Sequence, residues 1–338
     1  MALRGFFHFG RESYVTGGKR EGEGGGPLDE ESRKAAMRKE LKKMQHGKKE
    51  VTARYHAKYP ESAEREYIRL CNAYMAMEKQ VLMKHIPELS RILEDGAEMR
   101  RDAASGNGKG QEGLTLGMMR RLRRFFANIR KELDTAFGLK RLTAGIEKIA
   151  AQNRRLTVKE WKKTVSKTLG IDIMEDYFSG GVYEEMLKEW ISENIDLIKA
   201  VPQASLEKME GIVYANFRKG TTTPNIVKEI QRQYGMDKRH AKLIARDQTA
   251  KLNAALTKYQ QTDAGITHYK WSDSRDSRVR ESHKRLNGRI FSWDNPPETE
   301  HGRKCHPGQD YQCRCCALAV FDIDNIDLPM EGRREKNA

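Results

Sequence analysis

The sequence predicts a mainly α-helical protein: an elongated helical body that ends in a small C-terminal α+β module. Three observations predict it. Apolar residues recur at three- and four-residue spacing over most of the chain, the signature of amphipathic helices. The composition is polar for one compact core, with 38% hydrophobic and 33% charged residues and a mean hydropathy of −0.81, as expected of long, surface-rich helices. After Gly265 the texture changes to short alternating runs and a Pro-rich loop.

Residues 1–30 read as a flexible tail, because Gly17 to Pro27 is Gly-rich and charged. A helical region follows over 31–102. In it Tyr67, Leu70, Cys71, Tyr74, Met77, Val81 and Leu82 form one apolar stripe. Pro87 is expected to kink or interrupt that helix, since proline lacks the amide that the helix ladder needs. Residues 103–113 are Gly-rich and read as a linker.

A basic helical domain is predicted over 114–264. One helical region runs to Leu169, and Gly170 to Gly181 breaks it. A helix ending before Pro202 follows, then another that stops at Gly220. Thr223 is placed to cap the next helix, with Pro224 at its first position and Gly235 at its end. Asp237 is placed to cap the helix after that. The pair has helix-turn-helix length, but Arg246, Asp247 and Gln248 give mixed charge rather than a basic reading face.

The module is predicted over 265–323. Strands are expected within 266–272, 288–293 and 316–322, and a short helix within 273–286, with Asp276 as its cap. A unit this small needs a metal or a larger partner to bury enough surface. Residues 324–338 read as a polar tail.

The net charge is +15. From Gly117 to Lys167, fifteen Lys or Arg stand against four acids, a balance of +11. Arg120, Arg121, Arg123, Arg124, Arg130, Lys131, Lys140, Arg141, Arg154, Arg155, Lys162 and Lys163 are the candidate contacts to a polyanion. Without interleaved aromatics the expected partner is the phosphate backbone of double-stranded DNA, bound without sequence specificity. A solvated helical face explains the same charges. No apolar run approaches membrane-spanning length, and no signal peptide is evident, so neither membrane contact nor secretion is expected.

Four of the five cysteines crowd between Cys305 and Cys316. The fifth, Cys71, lies in the apolar stripe and reads as a small buried hydrophobe. Three readings of the cluster stand. Cys305, Cys313 and Cys315, with His283 or His306, offer a ligand set for one structural zinc ion. A disulfide would need an oxidising setting. The thiols could also be free and buried. A nucleic-acid enzyme, a metal-dependent nuclease centred on His283 and the cysteines, is the alternative function. No second carboxylate or separate nucleophile stands at a motif spacing, so a non-enzymatic protein is expected.

The residues Ala245-Arg246-Asp247-Gln248, Trp271, Asp276 to Arg280, His283, Leu286, Gly288, Pro296-Pro297, Pro307-Gly308 and Cys313-Arg314-Cys315 resemble the C-terminal domain of phage minor head proteins, the Mu-F-like head morphogenesis family. Trp271, Asp276, Arg278, Arg280 and Gly288 are the structural motif of that resemblance. It implies a virion protein inside the head, assembled in the host cytoplasm. It implies association with the portal and with major capsid or scaffolding protein, and a role in head assembly and in DNA packaging or ejection. Two positions depart from the family pattern. Gln312 stands where relatives often have Asn, and Cys316 is an extra cysteine.

Overall fold

The computed structural model describes residues 30–105, 111–136, 138–173 and 181–328. The predicted tail up to residue 29, the centre of the predicted linker, most of the break before residue 181 and the end from 329 lie outside the described residues. In chain order the elements are α1 (Glu30–Met44), β1 (Glu50–Thr52), α2 (Glu61–Ser105), α3 (Gln111–Ala136), α4 (Leu139–Leu169), α5 (Gly181–Lys219), α6 (Thr223–Asp263), β2 (His268–Ser272), α7 (Glu281–Leu286), β3 (Ile290–Ser292) and β4 (Cys316–Asp322). The chain is mainly α-helical, with a small antiparallel sheet in its C-terminal module.

Helix α2 organises the helical body. Its 45 residues span about 67 Å at 1.5 Å per residue, and it touches α3, α4, α5 and α6. The apolar stripe explains why. Tyr67, Cys71, Tyr74, Val81 and Leu82 are buried in one core, with Leu70 and Met77 packed at its edge. That core takes Leu122, Phe125 and Phe126 from α3, Ile146 and Ile149 from α4, Leu206 and Met209 from α5, and Leu252 and Leu256 from α6.

Several local stop signals are overridden by this packing. Helix α2 runs through Pro87 without interruption. The carbonyl that the missing amide leaves free belongs to Met83, an exposed residue, so water can satisfy it. On the far side Leu89, Ile92 and Leu93 return to the same core. Helix α5 likewise continues through Pro202 instead of ending before it, because Ile198 and Leu206 are buried on either side.

The expected pair of helices between Thr223 and Gln261 is one helix, α6, so there is no helix-turn-helix. Its N-cap is Thr222, one residue before the expected Thr223. Gly235 does not end it. Ile226, Ile230, Ala241 and Ala245 hold one buried face across that glycine. Asp237 is no cap either. Its buried carboxylate accepts from Gln233 Nε2 at 2.9 Å and pairs with Lys208 of α5 at 3.0 Å. By contrast Gly220 does stop α5, with the Thr221 amide returning to the Asn216 carbonyl. The predicted basic region is two helices, α3 and α4, parted near Gly138. Helix also takes residues 103–105 and 111–113 of the stretch expected as a linker.

The sheet order is β1-β4-β2-β3, with every neighbouring pair antiparallel. The three strands expected after Gly265 are present. Strand β1, from the N-terminal region, was not expected. It pairs Glu50 with Asp322 and Thr52 with Val320 along β4. The core behind the sheet is shared in the same way. Leu41 of α1 and Trp161, Val165 and Leu169 of α4 pack with Leu318, Ala319 and Phe321 of β4. Trp161 stacks on Phe321 at 5.9 Å. The buried Glu160 ties down the segment after β1, accepting from Tyr55 Oη at 2.6 Å and the Lys58 amide at 2.9 Å. No described helix is long and apolar enough to cross a membrane.

One buried acid in the body has a measurable consequence. Glu78 of α2 is fully enclosed, beside Ser205 and near Asp237, and burial first and Asp237 second push its pKa up to about 8. The folded state therefore holds a proton that the unfolded chain releases near pH 4.5. Stability should fall as pH rises from about 5 to about 8, by on the order of a few kcal/mol. In Glu78→Gln that component of the slope disappears, so urea midpoints of wild type and variant diverge between pH 5 and pH 8. Parallel pH profiles would contradict this.

Candidate metal centre

The site is assembled from two segments that fold back onto β2 and α6. The first begins at Trp271, which is fully buried. The Gly288 amide donates to the Trp271 carbonyl, and the Trp271 amide donates to the Arg289 carbonyl, both at 2.8 Å. This pair of bonds returns α7 against the end of β2. Gly288 makes the reversal with φ 81°, a region that favours glycine. His283 of α7 then lies edge-on to Trp271, with ring centroids 5.4 Å apart. Asp276 organises the turn before α7 without capping it. Its Oδ1 accepts the Arg278 amide at 2.9 Å and it is ion-paired with Arg314. The cap position of α7 belongs to Arg280.

The second segment is the loop from Cys305 to Cys315. It is pressed onto α6 at two points. Gly308 has φ 83°, and a Cβ there would stand 2.9 Å from the Ala254 Cβ. Further on, the Gln312 amide donates to Asp247 Oδ1 at 2.8 Å. Asp247 is buried and also paired with Lys251. Between these anchors the chain doubles back. The Gly308 and Cys315 amides both donate to the Cys313 sulfur at 3.4 Å.

The result is a three-donor group. Cys313 Sγ lies 3.4 Å and Cys315 Sγ 3.5 Å from the same atom, His283 Nδ1. All three donors are buried and lie within 4.8 Å of one another. For a tetrahedral zinc ion, with bonds of about 2.3 Å to sulfur and 2.0 Å to nitrogen, ligand sulfur and nitrogen stand about 3.5 Å apart. Both nitrogen–sulfur distances therefore match coordination spacing. The other ring nitrogen, Nε2, is 3.3 Å from the buried Asp310 carboxylate, the partner that orients metal-bound histidines.

Asp310 is itself held by the Tyr311 amide at 2.8 Å, Arg303 at 3.1 Å and Arg280 at 3.4 Å. Burial alone would raise its pKa, but His283, the Tyr311 amide and the two arginines outweigh it and bring it down to about 2. Burial likewise opposes a proton on His283, yet Asp310 and the Cys313 sulfur push it up to about 9. The Cys315 thiol and His283 lower Cys313 well below a normal thiol. Cys313 and His283 thus favour each other's charged forms, and sulfur and Nδ1 can both serve as ligands once their protons leave.

A family model described as Phage Mu protein F like protein matches residues 207–318. Over those residues the chain is similar to that family. An uncharacterized protein of Haemophilus influenzae is 36% identical over 171 residues, which is 49% of this chain and 37% of that relative. The aligned part thus spans little more than a third of the relative's length. No solved structure matches the chain.

The matched segment contains all three donors and the residues that position them, Asp247, Trp271, Gly288, Gly308 and Asp310. Of the five candidate ligands, the structure brings together His283, Cys313 and Cys315 and leaves two apart. His306 faces Tyr269 Oη at 3.0 Å and Lys258 Nζ at 3.4 Å; burial and Lys258 push its pKa down to about 4. Cys305 is half-buried beside Thr299 and outside the donor group. Cys316 opposes Ser272 in the sheet and its sulfur lies 4.0 Å from His56. Cys71 is buried in the body, and all five thiols are free.

The basic candidates divide by location. Met118, Leu122, Phe125, Ile129 and Leu133 face the core from α3, while Arg120, Arg123, Arg124 and Lys131 share its opposite, exposed face. Lys140, Arg141 and Arg155 are exposed on α4, and Lys162 is half-buried there. Four are engaged in ion pairs: Arg121 with Asp95, Arg130 with Glu210, Arg154 with Glu184 and Lys163 with Glu160.

Gln312 holds a left-handed backbone conformation, φ 51°, that strains a long side chain and suits Asn or Gly. Gln312→Asn should raise stability by about 0.5–1 kcal/mol, read as a higher urea midpoint at unchanged m. Asp247→Ala leaves the Gln312 amide unpaired and should cost about 1–3 kcal/mol. A neutral Gln312→Asn would show that the loop relaxes this strain by another route.

Proposed function

We propose that the protein is a non-enzymatic minor head component of a tailed bacteriophage or prophage, acting beside the portal in head assembly and in DNA packaging or ejection. The match to the Mu-F-like family carries this reading, because the matched residues 207–318 include every donor of the buried His/Cys group. In this reading one zinc ion, held by His283, Cys313 and Cys315, pins α7 and the Cys loop to each other. The exposed arginine face of α3 lies against the phosphates of double-stranded DNA without reading bases. The portal protein and the major capsid or scaffolding protein are its partners in the particle.

Three measurements test this reading. Purified protein should carry about one zinc per chain by elemental analysis, and a native thiol assay should leave Cys313 and Cys315 protected until a chelator is added. A metal-free protein with those two thiols reactive would remove the zinc. Changing Arg120, Arg123, Arg124 and Lys131 to Gln should weaken binding to any duplex and lower the log–log salt slope by about 3. Unchanged affinity would remove the DNA-facing role of α3. Finally, the protein should be present in purified particles, and His283→Ala should impair assembly or DNA delivery. Metal-dependent DNA cleavage by the wild type, lost in His283→Ala, would establish the nuclease alternative instead.

A further inference from the structure

Three donors leave a tetrahedral ion one position short. Among the described residues no fourth Cys, His or carboxylate joins the group. The nearby candidates are committed elsewhere: His306 to Tyr269 and Lys258, and Asp310 to the opposite nitrogen of His283. Structural zinc sites are closed by four protein ligands, whereas an open position takes an exogenous one.

The surroundings indicate what that ligand is. Two cavities flank the cysteines. The larger, of about 300 Å³, is bounded by Cys313 and Cys315 but not by His283. The smaller, of about 140 Å³, is lined by all three donors, so the open side of the group faces it. Four arginines line that cavity, Arg246, Arg278, Arg280 and Arg314, and no carboxylate does. The acids that accompany them lie outside its wall. Glu64 holds Arg246, Asp276 holds Arg314, and Glu300 and Asp310 hold Arg280. These pairs fix three guanidiniums in place around the cavity. Arg278 is exposed and stands near Asp276, whose carboxyl its charge helps to hold down.

We propose that this cavity is a phosphate-binding site in which one oxygen of a phosphate group, free or terminal on a strand, completes the coordination of the ion held by His283, Cys313 and Cys315, while the arginines bind the remaining oxygens. This rests on the metal reading above. The chemistry matches on three counts. An ion bound by two thiolates and a neutral imidazole carries no net charge, so it does not repel an anion. Arginine forks match the geometry of phosphate oxygens. The cavity has room for a group the size of several waters, and so for a terminal phosphate rather than a stretch of duplex. The exchange is a substitution: a bound water leaves and a phosphate oxygen takes its place. The phosphate could come from free phosphate or from a 5′-phosphorylated strand end.

Cobalt-loaded full-length protein tests this, because its visible absorption reports thiolate coordination and the fourth ligand separately. Inorganic phosphate should shift the cobalt bands at saturation. A 5′-phosphorylated oligonucleotide that shifts them where its 5′-hydroxyl counterpart does not would identify the strand end as source; a shift with inorganic phosphate alone would identify the free anion. Arg278→Gln should weaken the response by about tenfold or more at unchanged cobalt content. Failure to bind cobalt through thiolates would overturn the metal reading itself. Tight thiolate-bound cobalt whose spectrum ignores both phosphate and the phosphorylated strand would overturn the phosphate site and leave the metal standing. Phosphate binding that persists undiminished in metal-free Cys313→Ser protein would overturn the coordination.

Discussion

The site depends on one buried carboxylate. Asp310 is almost wholly enclosed, and an ionised carboxylate there is tolerated only because donors converge on it. Each donor comes from a different place: His283 from α7, Arg280 from the start of that helix, Arg303 from the Pro-rich loop and the amide of Tyr311 from its own turn. Remove the charge and these groups lose their common centre. His283 in particular owes its orientation to Asp310 on one side and Trp271 on the other. The two sulfurs then meet a ring whose direction is already set.

Helix α6 connects this local arrangement to the rest of the molecule. Its first half belongs to the core of the body through Ile226, Ile230 and Ala241. Its second half carries Asp247 and Ala254, the two contacts that hold the Cys loop. One uninterrupted helix therefore fixes the distance between body and site, with no hinge at Gly235 to vary it.

The parts of this arrangement that were legible in the sequence are those with strong periodicity. The α2 stripe, strands β2 and β4 and helix α7 follow from spacing, and residue type alone makes His283 a candidate partner of Cys313 and Cys315, with His306 as the equal alternative. Pro87, Pro202 and Gly235 misled because their local costs of about 1–3 kcal/mol are small beside the burial of apolar residues on both sides. Asp237 misled because a side chain suited to capping found buried partners instead. Strand β1 is three residues long and carries too little pattern to read, although Val51 and Thr52 before Pro60 are the signal that was there. Asp310 and the tether from Asp247 to Gln312 depend on residues 27 and 65 positions away, and no short-range pattern announces them. Cys305 and His306 have the residue types of donors, and the Pro307-Gly308 turn offers Cys305 an approach to the Cys313-Cys315 pair that the structure does not use. The doubled-back loop sends His306 to Tyr269 instead.

The N-terminal edge of the sheet also bears on how the chain is made. Arg38 bonds the Ile326 carbonyl across 288 positions, and β1 pairs with β4 over a similar span. During synthesis α1 and β1 emerge long before β4, and must wait until the helical body between them has been made before their partners exist. Closing a loop that long is slow, and until β4 arrives the apolar faces of Leu41 and Trp161 have no cover. The body can fold as it emerges, but the sheet and the donor group beside it are completed only once β4 has been made.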